Sequence, residues 1–208
     1  MFDKEKAEFA NTWTHAVALL LFCLMAIPLL MRAFSHGSAA LDLGMILFVV
    51  GEVMMFGSST LYHWFRDPEK KRMMRYFDHS AIYVSIAGSY SPILLHAIGG
   101  TLGNVCFFVI WSLTLLGIVY KIFFLGKYPK FSLGLYLVMG WLIIILIKPV
   151  FETFPASSLW MLLGEGIAFT LGTYFFWKDD TRTYYHSIWH VFVFVGCLFH
   201  CLLLWFLL

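Results

Sequence analysis

The sequence predicts an all-α protein, a seven-transmembrane helix bundle forming one integral membrane domain over residues 1–208, with a cytoplasmic N-terminus and an outside C-terminus. Three observations carry this. First, 61% of the 208 residues are hydrophobic and only 12% are charged, whereas soluble domains run near 45–50% apolar and about 25% charged. A soluble globule of this size exposes too much surface to hide that excess. Second, the apolar residues fall in runs of about 20, the length that crosses a bilayer. Third, Lys and Arg collect in alternate gaps between the runs. A soluble enzyme, a disordered chain and a secreted disulfide scaffold are excluded. A net charge of +2 gives no footprint for nucleic acid.

The first span is about Trp13–Arg32, followed by the turn Ser35-His36-Gly37-Ser38. The second, about Leu41–Phe65, is long enough to tilt. The third, about Tyr76–Ile98, carries Pro92, which should kink it, and stops at Gly99-Gly100. The fourth, about Leu102–Phe124, runs to the turn at Tyr128-Pro129, and the fifth is about Phe131–Pro149. The sixth, about Ser157–Lys178, contains Gly164-x-x-x-Ala168-x-x-x-Gly172, a small-residue face suited to close helix packing. The seventh, about Tyr184–Leu207, is again long enough to tilt.

With the N-terminus inside, all of the 14 Lys and Arg residues except Arg32 and Lys148 fall on the inner side. The basic stretch Arg66–Arg75 suits anionic headgroups. The continuous apolar runs lack the alternation of a membrane β-barrel, and open sheets cannot face lipid. Ser38-Ala39-Ala40 has the form of a signal-peptide cleavage site, but the leader Asp3-Lys4-Glu5-Lys6 is mixed in sign and the apolar stretch is too long, so cleavage is not expected. Cys23, Cys106, Cys197 and Cys201 fall inside spans, where free cysteines behave as small hydrophobes.

Ionisable groups inside a bilayer cost at least a few kcal/mol each, so their positions carry information. His15, Ser59, His63, Asp78, His79, His186 and His190 all fall near the inner ends of four different spans. His186 and His190 are one turn apart on one helix face and can reach a single cation. His63 can supply a third imidazole. Three histidines with an open fourth position make the catalytic type of zinc site. Asp78 can orient a histidine or hydrogen-bond bound water, and Ser59 lies one turn from His63 on the same face. The competing reading is a belt of interfacial histidines at headgroup level. His15 is a candidate helper of this layer, although a histidine near the N-terminus at a membrane surface is commonly a surface residue. His79 faces about 100° away from Asp78.

Glu52, Glu165 and His200 form a second layer, roughly 15–25 Å from the inner ends of their helices. A shared polar cavity, open to the outer side or joined to the histidine layer, would explain them; three separately satisfied groups would not need one. His36 and His96 are expected at the outer surface with no role.

The segments EFANTWTH (8–15), SSTLYHWF (58–65), DHSAIYVSIAGSYSPILL (78–95), YLVMGWL (136–142) and HSIWHVFVFVGCLFH (186–200) together resemble the hemolysin III family, the bacterial branch of the progestin and adipoQ receptor family, over nearly the whole chain. The resemblance implies a seven-helix fold in the cell membrane and zinc held by His63, His186 and His190. It also implies that Ser59 and Asp78 stand beside that metal or act in catalysis. The wider superfamily includes alkaline ceramidases, which implies zinc-dependent hydrolysis of a lipid amide or ester. The family's name implies cytolysis. The readings left open are therefore a lipid hydrolase, a non-enzymatic lipid sensor or membrane-state regulator with structural zinc, and a pore, which would require a homo-oligomer. A transporter built on Glu52, Glu165 and His200 ranks last, because there is no inverted repeat.

Overall fold

The computed structural model describes residues 3–208. Seven of its helical stretches are long and apolar enough to cross a membrane. The elements are α1 (Lys4–Ser35), α2 (Ala39–Trp64), α3 (Pro68–Pro92), α4 (Gly100–Phe124), α5 (Pro129–Gly140), α6 (Ile147–Thr153), α7 (Ala156–Trp177) and α8 (Tyr185–Leu207). The fifth span is composite: α5, a 3₁₀ stretch over Trp141–Leu146, then α6. No strand occurs among the described residues.

Helix starts follow capping chemistry. Asp3 accepts a hydrogen bond from the Lys6 amide, Ser38 from Leu41 and Asp67 from Lys70, each at the N-cap of its helix. Pro68 sits in the first turn of α3, where its missing N–H costs nothing. These caps lengthen two helices beyond the apolar runs. Helix α1 begins at Lys4 rather than Trp13, and α3 begins at Pro68 rather than Tyr76. The stretch Arg66–Arg75 is therefore largely helix and not loop.

Pro92 acts where expected. It ends the regular part of α3, and Ile93–Ile98 continue as a π-helical segment that stops at Gly99, whose φ of 60° is left-handed. The break in the fifth span has a different cause. The Tyr90 hydroxyl donates to the Gly140 carbonyl at 2.8 Å and accepts from the Ile143 amide at 2.8 Å. A side chain inserted between those backbone groups displaces regular helical rungs, and the helix tightens locally.

Helix α2 packs chiefly on α3, α7 on α8, and α1 lies against both α2 and α8. The chain thus makes a ring of α1, α2, α3, the fifth span, α7 and α8, with α4 outside it against α3. Small residues permit the closest approaches. The glycine face expected in the sixth span receives aromatic rings of α8: Phe199 packs on Gly164, and Phe192 and Trp189 on Gly172. Outward faces are apolar, with Ile145 77% and Phe108 69% exposed. That is the surface of a multi-pass membrane protein solvated by lipid.

The α2–α3 contact sets the spacing of two walls of the ring. A Cβ on Gly88 would lie 2.7 Å from the Leu47 carbonyl oxygen, whereas one on Gly57 would meet nothing within 4 Å. Gly88→Ala should therefore destabilise the bundle by about 1–3 kcal/mol, and Gly57→Ala should be neutral or slightly stabilising. Thermal unfolding of the two variants in detergent measures the contrast.

Candidate metal centre

The ring encloses a cavity of about 1030 Å³, lined by residues of every span except α4 among the described residues. Its walls are mostly aliphatic and aromatic, with polar groups concentrated in two layers.

The first layer contains His63 near the end of α2 and His186 and His190 at the start of α8. One side-chain nitrogen from each of the three lies within 4.8 Å of the others, a grouping able to hold a metal ion. The ring centroids are 5.1 Å (His63–His186), 5.2 Å (His63–His190) and 4.6 Å (His186–His190) apart.

What surrounds the rings decides which nitrogens are free. His63 Nδ1 donates to Glu8 Oε2 at 2.8 Å. His186 Nδ1 donates to Asp179 Oδ2 at 2.8 Å. His190 Nδ1 lies 2.9 Å from Thr14 Oγ1 and 3.2 Å from the Asn11 carbonyl oxygen. Carboxylates and carbonyls only accept, so each Nδ1 carries the proton and each Nε2 keeps its lone pair. His63 Nε2 is buried with no hydrogen-bond partner. A buried imidazole with its acceptor nitrogen unmatched and its other nitrogen anchored to a carboxylate is the arrangement of metal-bound histidine. The residues fit a divalent ion that prefers nitrogen ligands, and zinc is such an ion.

Helix α1 is the scaffold of this layer. Glu8 takes a second hydrogen bond from Lys71 Nζ at 2.9 Å, and that ammonium also donates to the Tyr62 carbonyl. The lysine thus stands beside the partly buried carboxylate as its counter-charge. Asn11 Oδ1 accepts from the Ser187 hydroxyl at 2.6 Å, tying α1 to α8. His15 is not a surface residue. It is 3% exposed, stacks on His190 with ring centroids 3.5 Å apart, and meets Phe56 edge-on.

Ser59 and Asp78 line the same cavity, as does His79. His79 contributes its backbone carbonyl, which accepts from Tyr136. Lys121 is drawn into the bundle rather than left in an inner loop: it is 3% exposed, donates to Ser132 and lies 5.1 Å from the Tyr136 ring centre.

The second layer is also brought together. His200 Nδ1 donates to Glu165 Oε2 at 2.9 Å, and both residues line the cavity that contains the three histidines. Glu52 accepts from the Ser85 hydroxyl at 2.6 Å, and Ser85 and Ser89 line the cavity in front of it. Cys197 and Cys201 are free and buried and join no metal-competent group among the described residues. His36 and His96 sit at the opposite end of the bundle, both exposed, with rings 6.4 Å apart.

Sequence reasoning did not single out Glu8, Asn11, Thr14, Lys71 or Asp179. A signal existed for the first two. Positions 8, 11 and 15 follow the spacing of one helix face, an unusual polar stripe at the start of an apolar span. Asp179 lies in the turn before α8 and carries no such pattern.

Replacing Glu8 with Ala should lower affinity for the metal by roughly 10–100-fold, the usual effect of losing such an acceptor. Chelator competition on the purified protein, beside His186→Ala as the ligand-deletion reference, measures the loss.

A family profile described as Haemolysin-III related matches residues 4–201. The chain is 40% identical over 201 residues to the Hemolysin-3 homolog of Bacillus subtilis (strain 168), covering 95% of this chain and 93% of that protein. It is 37% identical over 201 residues to Hemolysin-3 of Bacillus cereus, covering 95% and 91%. It is 28% identical over 170 residues to the human Monocyte to macrophage differentiation factor, covering 76% and 68%. With its fold, its histidine centre and these matches in agreement, the chain belongs to the haemolysin III family of multi-pass membrane proteins.

Proposed function

We propose that the protein is a zinc-dependent hydrolase of a lipid amide or ester, with its N-terminus in the cytoplasm and its histidine centre at the inner leaflet. The observation that carries this reading is the placement of the three imidazoles. They sit with their Nδ1 protons directed outward, at the wall of a large apolar cavity, beside a carboxylate and a hydroxyl that no metal ligand uses.

Zinc held by His63, His186 and His190 supplies a Lewis acid and a water that ionises near neutrality. The remaining roles belong to the chain. The apolar walls take the acyl chains and exclude bulk water from the reacting carbonyl. A carboxylate oxygen of Asp78 takes the proton of the attacking water and returns it to the leaving nitrogen or oxygen. The Ser59 hydroxyl donates to the carbonyl oxygen as negative charge builds there. Glu8, Asp179 and Asn11 hold the imidazoles in one tautomer through the cycle.

Incubating the purified, zinc-loaded protein with pooled N-acyl and O-acyl lipids should release free fatty acid. Asp78→Ala should lower that release by at least about 100-fold while retaining the metal. Mass spectrometry of the lipids and elemental analysis of the protein give both readouts. Absence of turnover by the loaded wild type would remove the enzymatic reading.

A second reading rests on where the ligands originate. They come from α2 and α8, which meet through α1, so a metal there also acts as a staple. In that case the protein senses lipid or regulates membrane state, or oligomerises into the lytic pore suggested by the names of its relatives. Chelation would then lower the unfolding temperature with no turnover to lose, and conductance across planar bilayers would single out the pore.

A further inference from the structure

The cavity does not end at the histidine centre. It runs along α8 from His190 to His200 and along α3 from Asp78 to Ser89, roughly 15 Å at the helical rise. At the far end stand His200, Glu165, Ser85 and Ser89. Glu52 lies behind the serines and accepts from Ser85.

Two features separate this end from an ordinary satisfied polar cluster. His200 is 3% exposed and spends its Nδ1 on Glu165, yet its Nε2 has no hydrogen-bond partner. Glu52, also 3% exposed, has one carboxyl oxygen without a partner. Nearly all buried polar atoms in folded proteins are paired, and those that are not mark a missing ligand or water. The Ser89 backbone carbonyl lies near the ring but makes no hydrogen bond with Nε2, and Phe48 packs beside it at 4.9 Å between centroids.

We propose that this far end is a second binding station, which takes a hydroxyl group carried part-way along the acyl chain of the bound lipid. The proposal rests on the lipid reading of the cavity given above. A hydroxyl is the group that fits, because it both donates and accepts. It donates to His200 Nε2 when the imidazole is neutral and accepts from it when the imidazole is charged. In the charged case it can also donate to the oxygen of Ser85 or Ser89, whose own protons go to Glu52 and to the Ser85 carbonyl. A plain methylene chain satisfies none of these atoms. The distance between stations matches a chain whose carbonyl lies at the histidine centre and whose hydroxyl lies near mid-chain. The site therefore selects chains by internal polarity as well as by length.

The test is competition of two fatty acids that differ by one mid-chain hydroxyl, ricinoleate and oleate, for the purified zinc-loaded protein in lipid nanodiscs, against a fluorescent fatty acid. Ricinoleate should bind the wild type about fivefold more tightly than oleate, the increment of one ordinary hydrogen bond. In His200→Phe the preference should vanish while oleate affinity stays within about twofold of wild type, since the aromatic volume beside Phe48 is retained. The wild-type comparison stands even if that variant does not fold. Equal wild-type affinities would overturn the proposal, meaning that water fills the station, and so would a preference that survives in His200→Phe. If neither fatty acid displaces the probe, the lipid reading of the cavity fails first and this proposal with it.

Discussion

The direction of three protons organises this protein. Each imidazole of the centre gives its Nδ1–H to an acceptor at the cavity wall, which leaves its other nitrogen available inside. In a low-dielectric interior a polar hydrogen cannot be left without an acceptor. The acceptors must therefore be supplied by helices packed around α2 and α8. That requirement places Glu8 and Asn11 on α1 and brings Asp179 back from the turn before α8. It also explains Lys71, which offsets the carboxylate charge that would otherwise stand half-buried between two helices. Removing any one acceptor frees a ring to flip its tautomer or rotate.

A bundle that encloses a chamber must be tight in some places and interrupted in others. Here the tight places are glycine contacts, where α2 meets α3 and α7 receives the rings of α8. The interruption is the fifth span, whose backbone is completed by the Tyr90 hydroxyl instead of by its own rungs. Tyr90 lies one residue before the Ser91-Pro92 end of α3. The irregularity of one helix thus sits directly beside that of its neighbour, and both face the chamber. Backbone irregularity within a membrane is tolerated where protein partners satisfy the freed groups, which the tyrosine does here.

Much of this was legible in the sequence, because the bilayer imposes simple rules. Apolar length gave the spans, and the rarity of ionisable groups within them drew attention to His63, His186, His190, Asp78 and Ser59. The pairing of Glu165 with His200 was foreshadowed by their similar depth. Helix ends were less legible, since capping by Asp3 and Asp67 extends α1 and α3 through polar sequence that hydropathy reads as loop. The burial of Lys121 was not legible at all, and that of His15 only as one of two alternatives. Each lies near the end of a span, where a one-dimensional reading cannot separate the face turned to the headgroups from the face turned inward. The Tyr90 insertion is equally hidden, because its partners stand 50 and 53 residues away.

The origin of the ligands and their acceptors along the chain bears on biogenesis. Glu8, Asn11 and Thr14 emerge first from the ribosome, His63 soon after, and His186 and His190 only with the last helix. The centre thus stays incomplete through the insertion of six spans, and until then Glu8 has Lys71 as a cationic companion. Metal capture by all three imidazoles is possible only for a finished polypeptide, so a chain stopped before Tyr185 enters the membrane without the means to load.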